Sequence, residues 1–119
     1  MAPCQTNTEY DGSVCVMTIM GTLYHEDVIK VSKEIKELYK SGVHVLIIDL
    51  SQLGHLHSKG LGALISALKN AREQDAAIAI FRPSEKVKEI LKITKLDQIL
   101  PIYYDNLDYV KKIFLDNKE

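Results

Sequence analysis

The sequence predicts an α/β sandwich whose mixed sheet is parallel at its centre and antiparallel at one edge. Three observations carry this prediction. Apolar runs too short for helices alternate with runs of helical periodicity, the order that builds βαβ units. Residues 43–50 are β-branched and apolar on both faces, as a buried central strand requires. An Asp11-Gly12 pair joins two strand-like runs, the signature of a tight hairpin.

Each element follows from its residues. Polar residues 5–10 read as an exposed strand, and the apolar residues 14–20 as its buried partner, broken at Gly21. Glu26 and Asp27 favour a helix start, after which Val28, Val31, Ile35 and Leu38 recur at helical spacing until Gly42. The central strand comes next, and residues 51–57 read as a loop. Leu61, Leu64, Ile65, Leu68 and Ala71 then form an apolar helical stripe, with Lys69, Arg72 and Glu73 on the wet side. Residues 77–81 read as another buried strand. Ser84 caps a short helix carrying Val87, Ile90 and Leu91, with Pro83 just before it. Residues 99–103 read as a short strand, and Asn106 caps a last helix with the stripe Leu107, Val110, Ile113 and Phe114. The expectation is about five strands and four helices in a single domain, residues 1–119. Residues 1–13 supply its edge strand and turn, and residues 116–119 a frayed tail.

Composition narrows the function classes. The chain has 119 residues, 46% of them hydrophobic and 26% charged, which suffices for one hydrophobic core. Its formal net charge of −1 supplies no field to draw nucleic acid or an anionic membrane. No apolar stretch approaches the roughly 18 residues of a membrane span, and the first residues lack a signal peptide's basic start and apolar core. The cytoplasm is the expected compartment. If Asp11-Gly12 is the hairpin turn, Cys15 faces Thr8 rather than Cys4, so both cysteines are read as reduced.

The chemistry-bearing residues gather around Ser58, where an apolar strand and its loop give way to an amphipathic helix. A helix start offers unpaired N–H groups and the positive end of the dipole, and so receives anions well. A hydroxyl there can be a cap, a nucleophile or a phosphorylation site. No Gly-x-Ser-x-Gly elbow, phosphate-cradling loop or dinucleotide fingerprint is present, so nothing points to an enzyme. His55-x-His57 supplies two ligands where structural metal sites use three or four, and reads as solvated loop histidines. His25 and His44 read the same way. Lys59 opposes the helix dipole by about 0.3–1 kcal/mol and could neutralise an anion held beside Ser58. Gly60 and Gly62 each cost about 1 kcal/mol against alanine inside a helical turn, so crowding against the sheet is expected to compensate.

These residues resemble the signature of STAS domains, named for sulphate transporters and anti-sigma factor antagonists. Ile48-Asp49-Leu50-Ser51 is similar to the family's strand ending Asp-Leu-Ser. Leu56-His57-Ser58-Lys59-Gly60-Leu61-Gly62 is similar to its apolar-Asp-Ser-Ser/Thr-Gly-Leu-Gly segment. Met20-Gly21-Thr22-Leu23, residues 81–87 and residues 93–96 also resemble it, and the match spans residues 14–114. The resemblance implies a STAS-like sandwich and a cytoplasmic regulator without cofactor or direct contact with nucleic acid. In soluble bacterial members a partner serine kinase, often also an anti-sigma factor, phosphorylates the first serine of the segment. The unmodified protein binds that kinase and frees the sigma factor, and a PP2C-type phosphatase resets the switch. The matching phosphoacceptor is Ser58, and Tyr24, His25, His57, Lys59 and Leu61 are the implied partner contacts. The chain departs from the pattern at three of these positions. His57 replaces the acid before the serine, Lys59 the second hydroxyl residue, and Tyr24 the acid after Gly-x-Leu. The glycine that commonly precedes the fourth strand is also absent, at Gln74-Asp75. The departures leave a second reading, a non-switching scaffold or accessory subunit of a regulatory or transport complex.

Overall fold

Burial of both faces of the central strands organises the molecule. The structure, a computed structural model, describes residues 3–116, and of Lys59 and Asp116 only the backbone. Strand β1 (Gln5–Asp11) pairs antiparallel with β2 (Val14–Leu23). Helix α1 (Val28–Lys40), strand β3 (Val45–Asp49), strand β4 (Leu53–Leu56), helix α2 (Leu61–Glu73) and strand β5 (Ala77–Phe81) follow. Helix α3 (Glu85–Ile93), strand β6 (Ile102–Tyr103) and helix α4 (Leu107–Asp116) complete the described chain. The sheet order is β1-β2-β3-β5-β6, with the inner pairs parallel and β3 central, and β4 pairs with the far end of β2. This is the α/β sandwich with four helices that the sequence predicts.

Successive side chains of each strand enter opposite layers. Cys15, Met17 and Ile19 of β2, Leu46 and Ile48 of β3, and Ile78 and Ile80 of β5 join one core with α1, α2 and α3. Val14, Val16, Val45, Ile47 and Phe81 form a smaller core beneath α4, where Val110, Leu107 and Phe114 pack. Both predicted caps are present: Ser84 Oγ accepts from Val87 N at 3.4 Å, and Asn106 Oδ1 accepts from Asp108 N at 2.8 Å.

The structure corrects several expectations. The hairpin turns at Gly12-Ser13, with Gly12 at φ 64°, so Tyr10 rather than Thr8 faces Cys15. Both cysteines remain free. Gly21 bends β2 without ending it. Its φ of 84° shifts the register, and the strand leaves β3 after Thr18 to meet β4 from Gly21 onward. Part of the expected 51–57 loop is therefore the strand β4. Ile65 is 52% exposed because the buried arc of α2 runs through Leu61, Ala63, Leu64, Ala67, Leu68 and Ala71. Only residues 102 and 103 of the expected last strand pair, since Ile99 N and Leu100 N donate back to Leu96 O at 3.1 and 2.8 Å. The expected frayed tail lies outside the described residues beyond residue 116.

Candidate functional site

The end of β3 sets up the site. Asp49 Oδ1 accepts from Ser51 N at 2.9 Å, an Asx turn that reverses the chain after the central strand. Gln52 O then accepts from Gly21 N at 3.2 Å, which starts β4 beside the bent half of β2. Where both strands end, His57 N donates to Leu23 O at 3.2 Å. The 3-10 turn Ser58–Gly60 begins there and closes through Gly60 N to His57 O at 2.7 Å.

Gly60 decides how closely this turn sits on the sheet. A Cβ there would stand 2.7 Å from Leu23 O, closer than real Cβ atoms come to a backbone oxygen, and a tight 3.3 Å from Leu56 Cδ1. Gly62 does a lighter version of the same work, with an added Cβ 3.4 Å from Val28 Cγ1 on α1. The expected crowding is thus against the end of β2 for one glycine and against a helix for the other.

The same β2 end carries a second turn. Tyr24 follows Leu23, and the 3-10 turn His25–Asp27 is latched by Tyr24 N to Asp27 Oδ2 and Asp27 N to Tyr24 O, each at 3.0 Å. The two turns lie against each other. The fold therefore brings together Tyr24, half-buried, with His25, His57 and Ser58, all exposed. The Ser58 hydroxyl has no hydrogen-bond partner among the described residues. It does not cap α2, whose N-cap is Gly60, but stands at the head of the turn before it. The first two N–H groups of such a turn have no acceptor inside it, so the turn itself can receive an anion. Lys59 belongs to the turn, and its side chain lies outside the described residues.

Leu61 is placed differently from an exposed contact. It is 7% exposed and packs in the core with Leu56 and Leu64. The exposed apolar side chains near these turns are Ile29 at 81% on α1 and Ile65 on α2. Ile29 was detectable as an isoleucine off the Val28–Val31–Ile35–Leu38 spacing. The rings of His55 and His57 lie edge to face with centroids 6.3 Å apart, both exposed. Among the described residues no group of three or more His, Cys, Asp or Glu side chains is placed to hold a metal ion. No helix among them is long and apolar enough to cross a membrane.

The STAS domain pattern matches residues 5–108. The chain belongs to the STAS domain family. An anti-sigma-B factor antagonist of Listeria monocytogenes is 35% identical over 72 residues, covering 59% of this chain and 62% of that protein. The chain thus spans about three fifths of the length of the curated relatives it matches. An anti-sigma factor antagonist from Mycobacterium paratuberculosis superposes with a TM-score of 0.80 at 21% identity, covering 93% of both chains. The antagonist SpoIIAA superposes in its unphosphorylated form with a TM-score of 0.78 at 15% identity, covering 92% of this chain and 96% of that one. The phosphorylated form of Bacillus SpoIIAA gives 0.72 at 14% identity, covering 92% and 99%. At these identities the superpositions establish the STAS fold.

Proposed function

We propose that this STAS domain is a cytoplasmic anti-sigma factor antagonist whose binding to a serine-kinase/anti-sigma partner is controlled by phosphorylation of Ser58. The observation that carries the reading is the Ser58 hydroxyl itself, exposed and without a partner among the described residues, at the position that matches the family's acceptor. A phosphate there adds about −1.5 to −2 charges facing free N–H groups, so the fold accommodates it. The same charge on a surface that a partner must cover costs several kcal/mol if left unpaired, which releases the partner. A PP2C-type phosphatase resets the state. That SpoIIAA has been solved both with and without phosphate supports such a switch on this fold. The contacts are Tyr24, His25, His57 and Lys59, with Leu61 holding the turn from within. The work is reversible binding rather than catalysis.

The test is mass spectrometry of the protein recovered from its native cells, with and without its phosphatase, beside partner binding by variants. Phosphate on Ser58, constitutive binding by Ser58→Ala and binding weakened about tenfold or more by Ser58→Asp are expected. Wild-type protein that binds its kinase-like partner yet never carries phosphate on Ser58 would sink the switch. A second reading is favoured by His57 and Lys59, which replace an acid and a hydroxyl residue beside the acceptor. In it the domain is a non-switching scaffold or accessory subunit, and Ser58→Ala changes neither binding nor phenotype.

A further inference from the structure

Strand β1 is the long open edge of the sheet, and its backbone is set for a second strand. Ser13 O accepts from Val45 N at 3.2 Å, which directs the odd-numbered residues of β2 toward β3 and the even-numbered ones toward β1. The β1 residues opposite Val14, Val16, Thr18 and Met20 are Asp11, Glu9, Asn7 and Gln5, so these bond inward. The N–H and C=O groups of Thr6, Thr8 and Tyr10 face outward, where no other described strand lies. Natural edges of this length are usually blunted by charged side chains (lysine above all), proline or a bulge, and β1 carries only the acids Glu9 and Asp11. Between Gln5 and Asp11 there is no lysine or proline, and every residue pairs with β2 in unbroken register. Tyr10, at the same edge, is 60% exposed.

We propose that β1 is a dimerisation edge, on which a second copy of this chain pairs antiparallel about a two-fold axis through Thr8. In that register Thr8 meets Thr8, Thr6 meets Tyr10, Asn7 meets Glu9 and Gln5 meets Asp11. Within the paired strands each carboxylate of β1 faces an amide, and no like charges of β1 oppose each other. The outward-facing residues Thr6, Thr8 and Tyr10 fall at the hydrogen-bonded positions, so each exchanges both its backbone bonds with the other copy. Tyr10 lies beside the other copy's Thr6, whose hydroxyl donates to both Glu34 carboxylate oxygens at 3.1 and 2.9 Å.

Neighbouring registers fail on the same grounds. An axis at Asn7 or Glu9 places inward-bonded residues at the centre, and the latter also opposes two Glu9 carboxylates. An axis at Tyr10 sets Glu9 against Asp11. An axis at Thr6 runs the ladder off the start of the strand at Cys4 and leaves Tyr10 uncovered. Only the Thr8 axis uses the whole strand. The edge shares no residue with the Ser58 site, so its test bears on dimerisation alone.

Sedimentation equilibrium of the full chain from micromolar to submillimolar concentration should show the mass rising from monomer toward twice that value. Thr8→Lys places two cations on the axis while leaving the β1–β2 ladder intact. It should raise the dimer Kd by about tenfold or more with an unchanged thermal melt. In a Cys4→Ser background, Thr8→Cys should oxidise to a covalent dimer, because Cα atoms of such a pair lie about 5.5 Å apart, within disulfide range. Asn7→Cys, opposite Glu9, should not. The proposal fails if wild type keeps its monomer mass throughout, if a folded Thr8→Lys dimerises as wild type does, or if Asn7→Cys cross-links as readily as Thr8→Cys.

Discussion

At Gly60 a methyl group has nowhere to go. Leu23 O stands 2.7 Å from where the Cβ would be, and that carbonyl is held in place by His57 N. Gly60→Ala must push the Ser58 turn off the sheet, and overpacking of this kind costs about 1–3 kcal/mol. The expected result is a lowered melting temperature together with a disturbed Ser58 environment. Gly62→Ala meets only Val28 Cγ1, a side-chain atom at 3.4 Å, and gains helix propensity worth about 1 kcal/mol. It should leave stability unchanged or slightly raised. Thermal melts of the two variants separate a glycine required by backbone contact from one tolerated by packing, a distinction that spacing alone does not make.

Among the elements, the α2–β5 junction carries a local misfit. Asp75 takes φ 52°, the left-handed conformation that glycine adopts without steric cost. The chain must turn there because Ala76 N closes the helix onto Ala71 O at 2.8 Å and Ala77 N then bonds His44 O at 2.8 Å to start β5. Asp75→Gly relieves the steric cost while loosening the unfolded chain, so a net gain of about 0.5–1 kcal/mol is expected in urea unfolding. A loss of stability would show that the aspartate side chain contributes more than its backbone strain costs. β4 carries the opposite lesson. Its Leu53-Gly54-His55-Leu56 sequence has little strand propensity, and it pairs because the bend at Gly21 delivers the second half of β2 to it.

For the whole molecule, the central core sets an alkaline limit. Cys15 lies fully buried between β1 and β3, and burial pushes its thiol from the ordinary 9.0 up to about 11. Burial likewise raises the Tyr39 hydroxyl, which the thiol beside it pushes further. Cys4 is raised too, first by burial and then by Asp27. These folded-state values lie above those of the unfolded chain. Their contribution is therefore fully present below about pH 9 and declines as pH climbs toward 11. Melting temperature should be insensitive to these groups near neutrality and fall through that window. Cys15→Ala should make the fall shallower without removing it, since Tyr39 still titrates. An equally steep fall in that variant would place the sensitivity elsewhere.

The sequence by itself determined the layers, the helices and the family. Continuous apolar runs mark strands buried on both faces and period 3.6 marks the helices, and residues such as Val31, Ile35, Ile47 and Val110 display it without help. It also singled out Ser58 as the candidate acceptor, because the Asp-Leu-Ser and Ser-x-Gly-Leu-Gly spacing is local. The tertiary structure decided what depends on contacts between distant segments. It moved the hairpin turn by one residue, extended β2 past Gly21, made a strand of Leu53–Leu56 and exposed Ile65. It also set Tyr24 and His25 beside His57 and Ser58, although more than thirty residues separate them, because both turns hang from the end of β2. Periodicity records which face of an element is covered. Which turn lands beside which is fixed only when Leu23 O finds His57 N and Gly60 leaves room for it.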